Sequence, residues 1–300
     1  MLIVVGNFGR LGNQLWTHAN CIAFALENNV RLLDTCFEHS HLFLGREALA
    51  GEQQRIVVSS GGVARAAASV GYRLNLRASA YPSVQLGEGG RIPLEAAANR
   101  TILVTARFAF LSGLFVSAPA ALERQFEALR AYFAVRQEYR KKAESLIASM
   151  RSACDLIVGV HVRHGDYRTY NKGLMFYSAA EHAVIMRGLV QQIPEKRIGF
   201  VICSDEAQDL STFAGLQVRV SDGDAVNDIH LLSQCDYIIG PYSSFSQWAS
   251  FVGQVPLHVV DYKNAFLEGR EVRNVPSLNE DFSVFSPARF GEFATHDVNL

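Results

Sequence analysis

Apolar positions along the chain follow two alternating rhythms. Residues 2–5 form a short unbroken apolar run closed by Gly6, the pattern of a buried strand. From about 14 to 27, Leu15, Ala19, Ile22, Ala23 and Leu26 recur at helical spacing until Asn28-Asn29 stops them. Residues 31–33 then read as the next strand, closed by Asp34. Strand, helix and strand in that order open a parallel sheet. Residues 45–100 are dense in Gly, Ala and Ser and give no strand order. Residues 102–118 read as a buried strand and its exit, because Arg107, Ser112 and Gly113 interrupt the run. Residues 120–150 predict a long helical stretch separating two halves.

The second half alternates more regularly. Strands are predicted at 156–162, 198–203, 216–220, 237–239 and 256–260, with helices at 178–192, 227–234 and 246–252. The chain is therefore α/β, with two halves expected to face each other across a cleft. Open parallel sheets bind ligands beyond the carboxyl ends of their strands, and the unusual polar residues fall there.

Composition narrows the function classes. The 300 residues suit one large domain or two, and 49% hydrophobic residues suffice for a packed interior. A formal net charge of -1 supplies no global field for nucleic acid, so any anion site must be local. Five cysteines, odd in number and without a CxxC pair, read as buried free thiols. The opening residues lack signal-peptide features, and no run reads as an integral membrane segment. The cytoplasm is the expected compartment, with peripheral contact at the inner membrane face left open.

Three segments carry candidate chemistry. In residues 159–167, GVHVRHGDY, a strand runs into His161, Arg163, His164 and Asp166. Alternation along a strand puts His161 and Arg163 on one face. Arg163 suits a phosphate clamp and His161 a ribose or phosphate bond; an Arg163–Asp166 pair at a turn is an equally open reading. In residues 240–253, Ser243 and Ser244 stand where a helix cap belongs, with Phe245 beside them. They suit either an anion site at a helix N-terminus or a plain cap, and Trp248 reads as core. The loop GNFGRLGNQ places Gly6, Gly9 and Gly12 at a spacing that is not the dinucleotide fingerprint. Asn13 suits a helix cap or a ligand bond there.

Single acids remain open. Asp205 suits a base or ribose ligand, or a helix cap. Asp222-Gly223-Asp224 reads as a turn rather than a metal site. Asp228 suits a ligand or the helix dipole. No His/Cys/Glu cluster has convincing metal spacing.

Together these segments resemble the α1,2-fucosyltransferases. Gly9-Arg-Leu-Gly-Asn-Gln14 is similar to their opening, His161-Val-Arg-His-Gly-Asp-Tyr167 to their HxRRxDY motif, and Cys235-Asp with Ser243-Ser-Phe-Ser-Gln-Trp248 to their late motif. The resemblance implies a GT-B architecture of two Rossmann-like halves, 1–150 on the acceptor side and 151–265 binding the GDP-sugar. Such a fold commonly returns its last segment, here 266–300, to the first domain. It implies GDP-fucose as donor, a glycan acceptor, inversion, and no metal or other cofactor. Carried over, Arg163 binds pyrophosphate and His161 the nucleotide. Ser243, Ser244 and Phe245 hold phosphate and nucleoside, with Asp228 and Asp205 on the donor side. Asn13, with Gly9 and Gly12, borders the reacting sugar, and Asp166 is the candidate base. The chain departs from the pattern at His164, where a second arginine is usual, at Gln247, where an aromatic is usual, and across 111–118. A nicotinamide or flavin oxidoreductase built on the first βαβ unit, and a non-catalytic nucleotide- or glycan-binding protein, are the competing readings.

Overall fold

The structure is a computed structural model. It describes residues 1–6, 9–51, 53–59, 62–85, 91–113, 115–173, 175–260, 276–278 and 280–289. The fold divides into two compact units, Met1–Arg136 with Ser286–Leu300 (of the latter, 286–289 are described), and Gln137–Phe285.

The first unit runs β1 (Leu2–Val4), α1 (Leu11–Glu27), β2 (Leu32–Asp34), α2 (Gln53–Ile56), β3 (Val57–Ser59), α3 (Gly62–Ala78), β4 (Ser83–Gln85), β5 (Arg91–Pro93), α4 (Ala97–Thr105), β6 (Ala109–Ser112), β7 (Phe115–Ser117), α5 (Pro119–Arg124) and α6 (Phe126–Tyr132). Its main sheet has the order β3-β2-β1-β6-β4, all parallel, and β5 pairs with β7 in a separate parallel ribbon. Helix α1 is buried almost all round, with Leu15, Trp16, Ile22 and Phe24 sealed from solvent. Asn20, buried on this helix, finds partners for both ends of its amide, as a polar group in a dry interior ordinarily does. Asn20 donates to the Trp16 carbonyl at 2.7 Å and accepts from the Ala118 amide at 2.5 Å.

The second unit runs α7 (Gln137–Arg151), β8 (Leu156–Val162), α8 (Ala179–Gln192), β9 (Ile198–Ser204), β10 (Gln217–Val220), α9 (Ala225–Leu232), β11 (Tyr237–Gly240), α10 (Ser244–Gly253) and β12 (Leu257–Val259). All five strands are parallel in the order β10-β9-β8-β11-β12. Val158, Val160 and Val162 of β8 and Phe200 and Ile202 of β9 pack against Ile185, Met186 and Leu189 of α8. This is why those strands read as unbroken apolar runs: both faces are covered.

Several sequence expectations are corrected. Helix α1 begins at Leu11, capped by the backbone of Arg10, so Asn13 lies inside its first turn and does not cap it. Residues 102–105 end α4 rather than enter a strand. The predicted helix over 120–150 is three helices. Gln125 breaks α5 from α6, and residues 134–136 pair with the segment around Phe43 through the Leu44 and Arg136 amides. The division falls before α7, which packs on α9, rather than after residue 150. The returning segment is also shorter than 266–300. Ser283 bridges to Leu257, and Phe285 N donates to Ser250 Oγ at 3.0 Å, which keeps 276–285 with the second unit. The turn Pro287–Arg289 packs on α5 in the first unit. The GEGG loop, much of 266–300 and Phe8 lie outside the described residues.

All five cysteines are buried free thiols, as expected. No helix among the described residues is long and apolar enough to cross a membrane.

Candidate functional site

In the second sheet the chain winds outward from β8 through β9 to β10, then crosses back to β11 and β12. The order reverses between β8 and β11, the position at which open α/β sheets leave a crevice beyond their strand ends. The two strongest motifs end on those two strands. His161 is the penultimate residue of β8, and Gly240 ends β11 just before the turn into α10. The rings of His161 and Phe245 lie 4.9 Å apart, so the two segments meet there. Gly240 permits this approach: a Cβ on it would stand 3.1 Å from the Cβ of His161.

Arg163 follows β8 and is held by two carboxylates. Its Nε and Nη2 donate to Asp166 Oδ1 at 3.1 and 2.7 Å, and Nε lies 3.4 Å from Asp205 Oδ2. The guanidinium also lies over the Tyr167 ring, 5.3 Å from its centre. Tyr167 is tied down in turn, donating to the Tyr242 carbonyl at 2.9 Å. Asp205 binds both sides of this loop, because its Oδ1 accepts the His164 amide at 2.8 Å. Gly165 eases this approach, since a Cβ there would stand 2.7 Å from Asp205 Oδ2. Asp205 is thus a buttress for the β8 loop rather than a helix cap.

His161 is buried, and burial first, then Arg163 and His182, pull its pKa down to about 3. It is a neutral imidazole at pH 7, and its Nδ1 has no hydrogen-bond partner among the described residues. His164 turns elsewhere. Its Nε2 meets the Tyr177 carbonyl at 3.1 Å, its Nδ1 lies 3.6 Å from Glu206, and its ring packs 5.1 Å from Phe176. The group standing where a second arginine is usual therefore braces the loop against the segment leading into α8.

Ser243 caps α10, accepting the Phe245 amide at 3.3 Å, and Ser244 opens that helix. The N-terminal end of α10 presents backbone amides and the positive end of the helix dipole at the same crevice. Trp248 is core, packed on Phe251. Gln247 is buried in the first turn of α10, and its amide nitrogen has no partner among the described residues. Asp228 lies in the first turn of α9, bonded to Ser221 beyond β10. Burial raises its carboxyl to about 6 against the opposing Ser221 hydrogen bond. Asp224 caps α9 and Asp222 pairs with Lys142 at 3.0 Å, which accounts for the acidic turn. No cluster of metal-ligating side chains occurs among the described residues.

In the first unit, Gly9 has φ +73, and a side chain there would collide with Asn13. Gln14 Nε2 donates to the Gly9 carbonyl at 3.1 Å, fixing the loop to the helix. Asp34 is fully engaged: it lies 2.6 Å from His18 Nδ1 and accepts the Cys36 and Phe37 amides at 3.0 and 3.3 Å. The oxidoreductase reading needs this carboxylate exposed to a ribose, and it is buried.

The crevice thus combines a clamped arginine, a neutral buried histidine and a helix N-terminus. The model of glycosyl transferase family 11 matches residues 111–264, just over half of the sequence. The chain belongs to glycosyl transferase family 11. It is a glycosyltransferase, and the family resemblance read from its motifs holds. The matched stretch includes the β8 and α10 motifs and leaves the first glycine loop outside.

Solved structures give the fold. An arginine-to-lysine mutant of FUT1 from Arabidopsis thaliana, in complex with GDP, matches with a TM-score of 0.57 at 11% identity, over 94% of this chain and 73% of that one. NodZ α-1,6-fucosyltransferase, soaked with GDP-fucose, matches with a TM-score of 0.57 at 18% identity, over 88% and 96%. POFUT1 in complex with GDP matches with a TM-score of 0.51 at 12% identity, over 84% and 94%. The family 11 chain accordingly has the GT-B-like α/β fold of these proteins. No curated protein sequence matches it.

Of the residues that sequence reasoning assigned to the donor side, the structure brings His161 and Phe245 into ring contact and ties Arg163, through Tyr167, to the Tyr242 carbonyl beside Ser243. Sequence reasoning missed Tyr167 as the platform under Arg163, and Gly165 as the residue that admits Asp205. The tyrosine lay inside the recognised motif; the Asp205 contact spans about forty residues and left no local signal.

Proposed function

We propose that the protein transfers L-fucose from GDP-fucose to a glycan hydroxyl, with inversion and without a metal. The observation that carries this reading is Arg163, which follows β8 at the strand-order reversal and is linked through Tyr167 to the turn before α10. Family membership and the fucosyltransferases among its structural neighbours support it.

In this mechanism the acceptor oxygen bonds the anomeric carbon as the bond from that carbon to the β-phosphate oxygen breaks. The electron pair leaves with GDP, and Arg163 and the α10 amides stabilise the charge that develops there. Arg163 exchanges its carboxylate partners for phosphate on donor binding. Asp166 is the proposed proton acceptor from the attacking hydroxyl. His161 and Phe245 hold the nucleoside, Asp228 accepts from its polar edge, and Asp205 keeps the β8 loop in place. The acceptor class is a surface polysaccharide or related glycoconjugate, α1,2-linked, and the compartment is the cytoplasm.

GDP release from GDP-fucose in the presence of a chelator tests the reading. Turnover is expected to persist, to be absent with GDP-mannose, and to fall about 100-fold or more in Arg163→Ala. Turnover that needs added Mn²⁺, or that prefers another sugar, would sink it.

A further inference from the structure

The inner side of α3 is settled by packing. Ala68 and Tyr72 lie on the cluster of Ile3, Val5 and Phe110, with the Tyr72 and Phe110 rings 5.6 Å apart. Asn75 is buried and closes the helix end, donating to the Tyr81 carbonyl at 2.9 Å and accepting its amide at 2.8 Å. Val70 and Leu74, one turn apart on the outer side, are therefore turned away from the sheet, 56% and 59% exposed. Tyr81, just past the helix, is 45% exposed. A solvent-facing helix side ordinarily mixes charges of both signs with few large apolar groups. Here Ala66, Ala67, Arg73 and Leu76 are exposed as well. Residues 53–87 contain four arginines, Arg55, Arg65, Arg73 and Arg77, and no Asp or Glu, in a chain of net charge -1.

We propose that the outer face of α3 docks on an anionic phospholipid bilayer. Val70, Leu74 and Tyr81 enter the headgroup boundary, and exposed Arg73, in a segment whose sequence carries four arginines and no acid, is drawn to lipid phosphates. Apolar side chains beside cations of one sign are the two terms that hold an interfacial helix on a membrane. A second copy of the chain fits poorly: an isologous contact would set like charges against each other. The surface is independent of the donor site, so either can fail alone.

Co-sedimentation of the full chain with vesicles tests the proposal, comparing phosphatidylcholine alone with phosphatidylcholine plus phosphatidylglycerol. Binding is expected only with the anionic lipid and is expected to weaken as salt rises. Arg73→Ala should lower partitioning about five-fold, and Val70→Ser with Leu74→Ser roughly ten-fold. Both variants should keep the wild-type melting temperature and GDP-fucose turnover. No binding, equal binding to both vesicles, or binding indifferent to both variants overturns the proposal. So does a dimer in solution that the Val70→Ser, Leu74→Ser variant dissolves, which would give the face to a second copy.

Discussion

At the scale of single residues, the crevice shows how burial sets charge before any ligand arrives. His161 is held neutral because its imidazolium would be desolvated beside Arg163, so in the proposed donor site it would offer a hydrogen bond without adding charge. Asp228 is shifted the other way, to about 6, because burial disfavours its carboxylate. Its proposed role requires the ionised form. GDP affinity should therefore hold at pH 7 and weaken as pH falls through 6, about ten-fold per pH unit once the acid form dominates. Titration calorimetry at pH 7 and 5 would check this. Asp228→Asn should bind GDP with no such pH dependence, and an unchanged slope in that variant would remove Asp228 from the nucleotide.

At the scale of elements, the cap of α10 was legible and the long-range ties were not. Ser243 stands before α10 where its serine-then-apolar sequence puts it, whereas Ser178, read as the first residue of a helix over 178–192, caps α8 from outside. Ser178 forms a full capping box with Glu181, accepting its amide at 3.3 Å while its own amide donates to Glu181 Oε2 at 2.6 Å. Ser178→Ala should cost about 1 kcal/mol in denaturant unfolding and leave GDP affinity intact. A loss of GDP affinity would mean that α8 positions the crevice. The helix over 120–150 was misread because Leu122, Phe126, Leu129 and Phe133 keep helical spacing across the break at Gln125. Periodicity registers which side is buried and does not register a cap between two short helices. Residues 45–100 were unreadable for the opposite reason. The strands there are three residues long, too short for an alternation to show.

At the scale of the whole molecule, the parallel second sheet was predictable because its central strands β8, β9 and β11 are largely apolar runs that end at polar or glycine-bearing turns. The first unit was less so. Its order β3-β2-β1-β6-β4 brings β6 beside β1 across about a hundred residues, a pairing no local pattern encodes. Yet the motif ends gathered where a strand-order reversal puts a crevice, and that convergence carries the functional account. The central claim is that Arg163 and its neighbours form a GDP-fucose site. It is tested most directly by thermal unfolding with GDP, GDP-fucose, GDP-mannose, UDP-sugars and NAD, in the wild type and in Arg163→Ala. Selective stabilisation by GDP and GDP-fucose is expected, about 2.7 kcal/mol when ligand stands at a hundred times its Kd, and lost in the variant. Stabilisation by NAD, by UDP-sugars, or equally in Arg163→Ala would contradict the account.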